Sequence, residues 1–144
     1  MILVDVNLLI YAVNEDAPLH AAAKSWLEQV LSGSETVAFS WNVLLAFLRL
    51  TTRPAVFRNP LPTEKAFAIV EAWLRQPVAT TVEPTARHLT TLRDLVLAFG
   101  TGGNLTSDAH LAALAIEHGA ELCSADRDFG RFPRLKWRNP IERP

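Results

Sequence analysis

Three aspartates stand where apolar segments of this chain begin or end. Asp5 lies in the apolar run ILVDV, Asp126 ends the run AELCSAD, and Asp108 falls in the first turn of the helical pattern LTSDAHLAALAIEHG. A carboxylate in an apolar strand is costly to bury without a partner, so Asp5 calls for a special explanation. If the three acids converge, they repel and raise one another's pKa, and a divalent cation would remove that conflict.

The residue types indicate which ion such a site would bind. Oxygen ligands without Cys or His suit Mg²⁺ or Mn²⁺, and such an ion supports phosphodiester hydrolysis by binding phosphate and activating a water. We therefore expect Asp5 and Asp108 to bind the metal directly, and Asp126 directly or through a water. Asp128, in the following turn, is better explained by itself as a turn former.

Each acid also has an ordinary structural explanation. An acid in the first turn of a helix stabilises the helix dipole, which would account for Asp108. A buried Asp5 could be satisfied by backbone groups or an arginine. His110 is best explained as a surface residue of the first helical turn. The remaining histidines lie on separate predicted helices, which argues against a zinc site: His20, His88 and His118.

Strand-like and helix-like segments alternate along the chain, and this alternation would position the acids. Short apolar runs predict strands at 2–6, 36–40, 78–83 and 120–126, and a fifth, edge strand at 135–139. Helical patterns predict helices at 18–33, 41–52, 63–76, 84–100 and 105–119. The order is typical of an α/β domain around a parallel sheet. In such sheets ligands bind outside the carboxyl ends of the strands, where Asp5 and Asp126 are expected to meet.

The composition is that of an ordinary globular protein. The 144 residues are 49% hydrophobic and 20% charged, which fits one domain over residues 1–144. The one cysteine, Cys123, excludes an internal disulfide framework and a cysteine zinc cluster, so we expect a cytoplasmic protein. The apolar start lacks the features of a signal peptide, and no segment is long enough to span a membrane.

The charge distribution is uneven although the formal net charge is −1. Three arginines and no acid lie between Arg49 and Arg58, and six bases lie between Arg127 and Arg143. Local basic surfaces of this kind can contact phosphates. Solvated helix faces explain the same pattern, so charge alone does not establish nucleic-acid binding.

Four ordered motifs resemble the PIN-domain toxins of bacterial VapBC toxin–antitoxin modules: DVNLLIYAVN, SWNVLLAFLRLTTRP, GNLTSDAHLAALAIEHGAEL and SADRDF. The resemblance covers nearly the whole chain. It implies a PIN-like three-layer α/β domain with a central, mainly parallel sheet of four or five strands flanked by helices. It also implies an Mg²⁺- or Mn²⁺-dependent endoribonuclease that cuts tRNA or ribosomal RNA and inhibits translation. Such toxins form homodimers and are held inactive by a cognate, VapB-like antitoxin.

Matched by position, the resemblance assigns Asp5 to the first family acid, Asp108 to the third and Asp126 to the fourth. Asn7 matches a polar position after the first acid. Asp128 matches an acid found in some members, which makes it a candidate additional metal ligand. The second family acid, usually Glu, is replaced here by Ala46. This departure implies looser metal binding and leaves open whether one ion or two are held.

The sequence therefore favours a metal-dependent endoribonuclease. Arg49, Arg53 and Arg127 are candidate RNA-backbone contacts, with surface charges as the alternative. Trp41 could stack on a base, but we expect it to lie in the core. Two other functions stay open: an aspartate-nucleophile phosphatase, which Asn7 disfavours because an acid is usual there, and a non-catalytic RNA- or protein-binding module with a depleted acidic site.

Overall fold

A computed structural model describes residues 1–100 and 105–142. Gly103 and Asn104, which begin the third resemblance motif, lie outside the described residues. Arg143, the last base of the carboxyl-terminal basic segment, lies outside them too. Nothing in the described part of the chain forms a helix long and apolar enough to cross a membrane.

The fold is built on a five-stranded sheet in which every neighbouring pair is parallel. The strands are short and their inner members are almost wholly buried, as expected when helices cover both faces. In spatial order the sheet reads β3-β2-β1-β4-β5, so the prediction of a central parallel sheet is confirmed. The strands are β1 (Ile2–Val4), β2 (Val37–Ser40), β3 (Ala79–Val82), β4 (Glu121–Cys123) and β5 (Trp137–Arg138).

Strand β1 is central and pairs with a different part of the chain on each side. Leu3 lies opposite Ala38 of β2 and opposite Leu122 of β4. The chain runs outward from β1 through β2 to β3, and then crosses to β4 on the other side. The β1–β4 boundary is therefore the point where the strand order reverses, and crevices at such points are the usual ligand sites of open parallel sheets.

Six α-helices lie around the sheet in the described chain, and a short 3-10 helix (Arg127–Arg131) follows β4. Helix α1 packs on α2 and α3, α3 on α4, and α5 on α6. Two helices begin later than their prolines suggested, since α2 starts at His20 and α5 at His88. The α-helices are α1 (Val6–Val13), α2 (His20–Leu31), α3 (Trp41–Thr51), α4 (Thr63–Leu74), α5 (His88–Phe99) and α6 (Leu105–His118).

The predicted first strand, 2–6, was wrong at its carboxyl end, and helix α1 was missed. Strand β1 stops at Val4, and Asp5 takes an extended conformation as the N-cap of α1, accepting a hydrogen bond from the Val6 N–H at 2.7 Å. A capping carboxylate satisfies one of the free N–H groups at a helix start. Asp5 is still at the carboxyl edge of the sheet, but as a junction residue between strand and helix.

The predicted fourth strand, 120–126, was also too long. Strand β4 ends at Cys123, because β1 has already turned into its helix and β5 offers only a two-residue partner. Asp126 therefore lies three residues beyond the strand as the N-cap of the 3-10 helix, where its Oδ1 accepts from the Asp128 N–H at 2.9 Å.

Candidate active site

Asp5 is held at the strand reversal by two hydrogen bonds. It is 9% exposed; its Oδ1 accepts from the Val6 N–H, and its Oδ2 accepts from the Ser124 hydroxyl at 2.7 Å. Ser124 follows β4 directly, so this bond joins the ends of the two central strands. These local donors offset part of the expected cost of burying Asp5, and each oxygen keeps a free lone pair.

The buried Ser124 hydroxyl is a hub for the polar groups around Asp5. It donates to Asp5 and accepts from the Asn7 amide at 3.1 Å and from the Asp126 N–H at 3.0 Å. The Asn7 carbonyl accepts from the Ala125 N–H at 3.2 Å. Both ends of the Asn7 amide are therefore engaged within the protein, which gives Asn7 an orienting role.

Asp108 lies in the first turn of α6 and forms an ion pair with an arginine of the same chain. Nη2 of Arg131, the last residue of the 3-10 helix, donates to Asp108 Oδ2 at 3.0 Å. The two side chains are 32% and 20% exposed, so the pair is half-buried. This ion pair adds a cation to the acidic site that the sequence motifs did not indicate.

Asp5 and Asp108 line one cleft of about 430 Å³ between α3 and α6. Helix α3 contributes Asn42, Ala46 and Arg49, whose i, i+4, i+7 spacing puts them on one face. The Ser40 hydroxyl donates to Asn42 Oδ1 at 2.5 Å and so orients that amide. The cleft thus has two acids at its base, an amide and a small residue on its wall, and a cation on the same helix face.

The carboxylates of the site affect one another electrostatically. Burial raises the pKa of Asp5 above its ordinary value, against the lowering effect of the hydrogen bonds from Ser124 and Val6, and the Asp126 charge raises it further. Burial likewise raises the pKa of Asp108, with additional repulsion from Asp126 and an opposing effect of Arg131. A concentration of negative charge at one edge of the sheet is the environment that favours a bound cation.

The donor set fits an open magnesium site better than a closed one. Within residues 1–100 and 105–142, no three Asp, Glu, His or Cys side chains are grouped closely enough to hold a metal ion by themselves. Mg²⁺, however, commonly binds one or two carboxylates and completes its shell with waters and substrate phosphate. Asp5 and Asp108 supply such a pair in one cleft, and Asp126 lies near enough to influence both through its charge.

The other residues predicted to contact RNA or metal lie on the surface, but their surroundings differ. Arg49 is exposed and lines the acidic cleft. Arg53 is exposed just beyond the end of α3. Arg127 donates to Glu142 Oε1 at 2.5 Å, an exposed pair that a phosphate could displace at little cost. Asp128 is exposed and adds to the repulsion that Asp108 experiences.

Trp41 is not a core residue, contrary to expectation. It is 46% exposed at the start of α3, and Leu45, one turn on, is 57% exposed. The helix buries instead the faces that carry Val43, Leu44 and Phe47. Trp41 therefore presents an aromatic surface at the edge of the sheet where Asp5 lies.

His110 is likewise not a simple surface residue. Its Nδ1 lies 2.9 Å from His88 Nε2, and His88 Nδ1 lies 2.5 Å from Glu117 Oε2. The Glu117 side chain is 1% exposed and also accepts from the Thr85 hydroxyl and the Thr85 N–H. This network, formed by Thr85, His88, His110 and Glu117, joins α5 to α6, the helix that presents Asp108.

Ser124 and Arg131 are the residues of this site that the sequence reasoning missed. Ser124 had one usable signal, since it is a polar residue at the end of an apolar strand, as Asp5 is. Arg131 had none, because its partner Asp108 is 23 positions away and in a different element.

The chain is similar to known proteins over nearly its whole length. The family described as PIN domain matches residues 2–135. Ribonuclease VapC37 of Mycobacterium tuberculosis is 48% identical over 140 residues, which cover 97% of each chain. Ribonuclease VapC33 of the same species is 40% identical over 141 residues, covering 98% of this chain and 99% of the relative.

Solved structures with lower identity share the fold. VapBC2 from Rickettsia felis, bound to a DNA fragment from its promoter, superposes with a TM-score of 0.71 at 21% identity, covering 96% of this chain and 98% of the other. VapC20 of M. tuberculosis, described as a sarcin-ricin loop cleaving toxin, superposes with a TM-score of 0.68 at 21% identity, covering 96% and 100%.

Proposed function

Because this chain belongs to the PIN-domain family, and within it resembles the VapC ribonucleases over nearly its whole length, we propose that it is an endoribonuclease toxin that uses Mg²⁺ or Mn²⁺. The observation that carries the proposal is the cleft in which Asp5 and Asp108 lie together at the reversal of the strand order. The substrate would be a structured RNA such as tRNA or ribosomal RNA, and cleavage would stop translation.

Asp5 and Asp108 would hold the ion, and Asp126 would contribute through a water. When bound, such an ion neutralises the carboxylates and the phosphate and lowers the pKa of a water. The protein's own part is positioning. Ser124 and the Val6 N–H fix the two oxygens of Asp5, while Arg49 on the cleft wall can contact the RNA backbone. Trp41, exposed at the same edge, can stack on an unpaired base.

The phosphatase alternative loses support from the position of Asn7. An aspartate nucleophile needs an acid two residues on to protonate the leaving group, whereas the Asn7 amide is bonded at both ends to Ser124 and Ala125. The non-catalytic alternative rests on Ala46, which lines the cleft where the family has Glu. The Asp5–Asp108 pair alone meets the requirement of a hard cation for one or two carboxylates.

We further propose a VapB-like antitoxin as the partner, a homodimer as the assembly and the cytoplasm as the location. Solved relatives of this fold include VapBC complexes. An antitoxin that blocks the cleft should place a cation, most simply an arginine, against Asp5 and Asp108, because Arg pairs well with carboxylates.

The test is cleavage of a purified cellular RNA pool by the purified full chain, with Mg²⁺ or Mn²⁺ added after EDTA treatment. We expect discrete new 5′ ends that depend on the ion and that disappear with Asp5→Asn or Asp108→Asn. A Glu71→Gln variant, which removes one exposed carboxylate from α4, away from the residues that line the cleft, controls for the loss of a negative surface charge. Cleavage of equal rate and pattern in EDTA would contradict the metal-dependent mechanism.

A further inference from the structure

We propose that Arg131 is a built-in counter-ion of Asp108 that competes with the divalent ion and passes to the RNA phosphate as ion and substrate bind. The inference deepens the proposed function and rests on it for the identity of the ligands. Arg131 comes from the 3-10 helix after β4, yet its Nη2 reaches Asp108 Oδ2 at 3.0 Å. It therefore places a fixed positive charge on one of the two carboxylates of the cleft.

The guanidinium is incompletely satisfied in this position. Its Nε is buried and has no hydrogen-bond acceptor among the described residues. A buried, unpaired donor on a charged group costs free energy. The bond to Asp108 thus satisfies only some of the donors of Arg131. The planar guanidinium keeps other N–H groups with which it can bind a phosphate through two hydrogen bonds.

The surroundings allow the Arg131 guanidinium to exchange Asp108 for a phosphate while it keeps its contact with Phe132. Its carbon lies 5.0 Å from the centre of the Phe132 ring, a cation–π contact that does not depend on Asp108. The side chain is 32% exposed, so it has access to an incoming ligand. Movement of a few ångströms at the end of this side chain would leave the backbone in place.

The charge balance gives this exchange a consequence for metal binding. With Ala46 in place of the family Glu, the cleft has two lining carboxylates, and Arg131 neutralises one of them. Affinity for hard cations falls as ligand charge falls, so the free protein should load the ion weakly. An RNA phosphate that binds Arg131 frees Asp108, and ion and RNA should therefore bind with positive coupling, which is reciprocal by linkage.

The first test measures Mn²⁺ affinity of the full chain by calorimetry in the absence of RNA. Arg131→Met removes the charge but keeps an unbranched side chain against Phe132, and should tighten Mn²⁺ binding by roughly three- to tenfold. Arg75→Met is the control: it removes one arginine charge from an exposed pair with Glu71 at the end of α4, which does not line the cleft, and it should change affinity by less than about twofold.

Two results would contradict the proposal that Arg131 is a counter-ion of Asp108. Mn²⁺ binding by Arg131→Met that is no tighter than binding by the wild type would give Arg131 a structural role only. Equal tightening by Arg75→Met would show a general charge effect instead. Melting in EDTA verifies that the variants fold, and Arg131→Gln serves if Arg131→Met does not.

The second test measures Mn²⁺ affinity with and without an uncleavable 2′-O-methyl RNA oligonucleotide. The wild type should show a clear gain in Mn²⁺ affinity with the oligonucleotide, and Arg131→Met a gain at least threefold smaller. Equal gains would overturn the transfer to phosphate. Because neither readout is cleavage, tighter Mn²⁺ binding in Arg131→Met would stand even if the chain cut no RNA, and the two proposals can fail separately.

Discussion

The buried network around Glu117 makes a quantitative prediction about stability. The Glu117 side chain is 1% exposed and accepts hydrogen bonds from the Thr85 N–H, the Thr85 hydroxyl and His88. Glu117→Ala deprives all three donors of their acceptor. A hydrogen bond to a charged group contributes about 1.5–3 kcal/mol, but Thr85 can recover water. We therefore expect a loss of about 3–5 kcal/mol in the free energy of unfolding, as when one partner of a buried pair is removed.

This loss would be a large part of the total stability, which is about 5–15 kcal/mol for a domain. For a chain of this length each kcal/mol lowers Tm by roughly 2–4 °C, so Tm should fall by about 10 °C. Urea unfolding followed by circular dichroism gives the free energy directly. An unchanged m-value would show that the same cooperative unit unfolds.

The matched control is Glu71→Ala. Glu71 is 62% exposed and pairs with Arg75 at 3.5 Å one helical turn away, an interaction worth about 0.2–0.5 kcal/mol. Glu117→Gln should fall between the two variants, because the amide oxygen can still accept from Thr85 while its NH₂ group cannot accept from His88. If Glu117→Ala loses no more stability than Glu71→Ala, the network does not join α5 to α6 as argued.

Three further predictions concern the pH dependence of stability, metal binding and the role of Ala46. Burial alone would raise the pKa of Glu117, but hydrogen bonds from Thr85 and His88 hold it below the ordinary 4.5; its stabilisation is complete above that pH and is lost as the pH falls through the folded-state pKa. Urea midpoints from about pH 6 to about pH 3 should fall more in the wild type than in Glu117→Gln, which lacks this titrating group. Mg²⁺ should raise Tm, and Asp108→Asn, which keeps an oxygen for Arg131, should abolish the rise; a rise of the same size would make Asp108 a helix-start acid only. Ala46→Glu should tighten Mn²⁺ binding about tenfold, since a carboxylate ~4 Å from a divalent ion gains ~2 kcal/mol even in water, less the cost of ordering the side chain. Its Kd and Tm should be measured together, because a fall in Tm with an unchanged Kd would assign residue 46 to packing.

The sequence predicted the sheet because apolar runs with β-branched residues recur between helical patterns. It did not predict α1, because the run ILVDVNLLIYAV has no polar face to reveal a helical period. Leu8, Leu9 and Ala12 are buried in α1, and the helix lies beneath α2 and α3. A helix buried on most sides cannot be distinguished from a strand by periodicity alone.

The acids of the site were predictable from where strands and helices end, whereas their partners were not. Arg131 and His110 were missed because each depends on the approach of separate elements. Trp41 was assigned to the core from its residue type, but the orientation of α3 decides which side chains are buried. Residue chemistry limits which groups can form a site, and only the packing of the helices determines which of them meet.

The hydrogen bond between Asp5 and Ser124 joins residues that are synthesised at different times. It joins residues 119 positions apart and lies beside β1, whose β4 neighbour is made late. At about 5–20 residues per second of synthesis, roughly 6–24 s pass between the addition of the two residues. Throughout that interval the first acid has no Ser124 to orient it, and the central strand has one neighbour instead of two. A nuclease whose site depends on this bond cannot complete that site until nearly the whole chain has been synthesised.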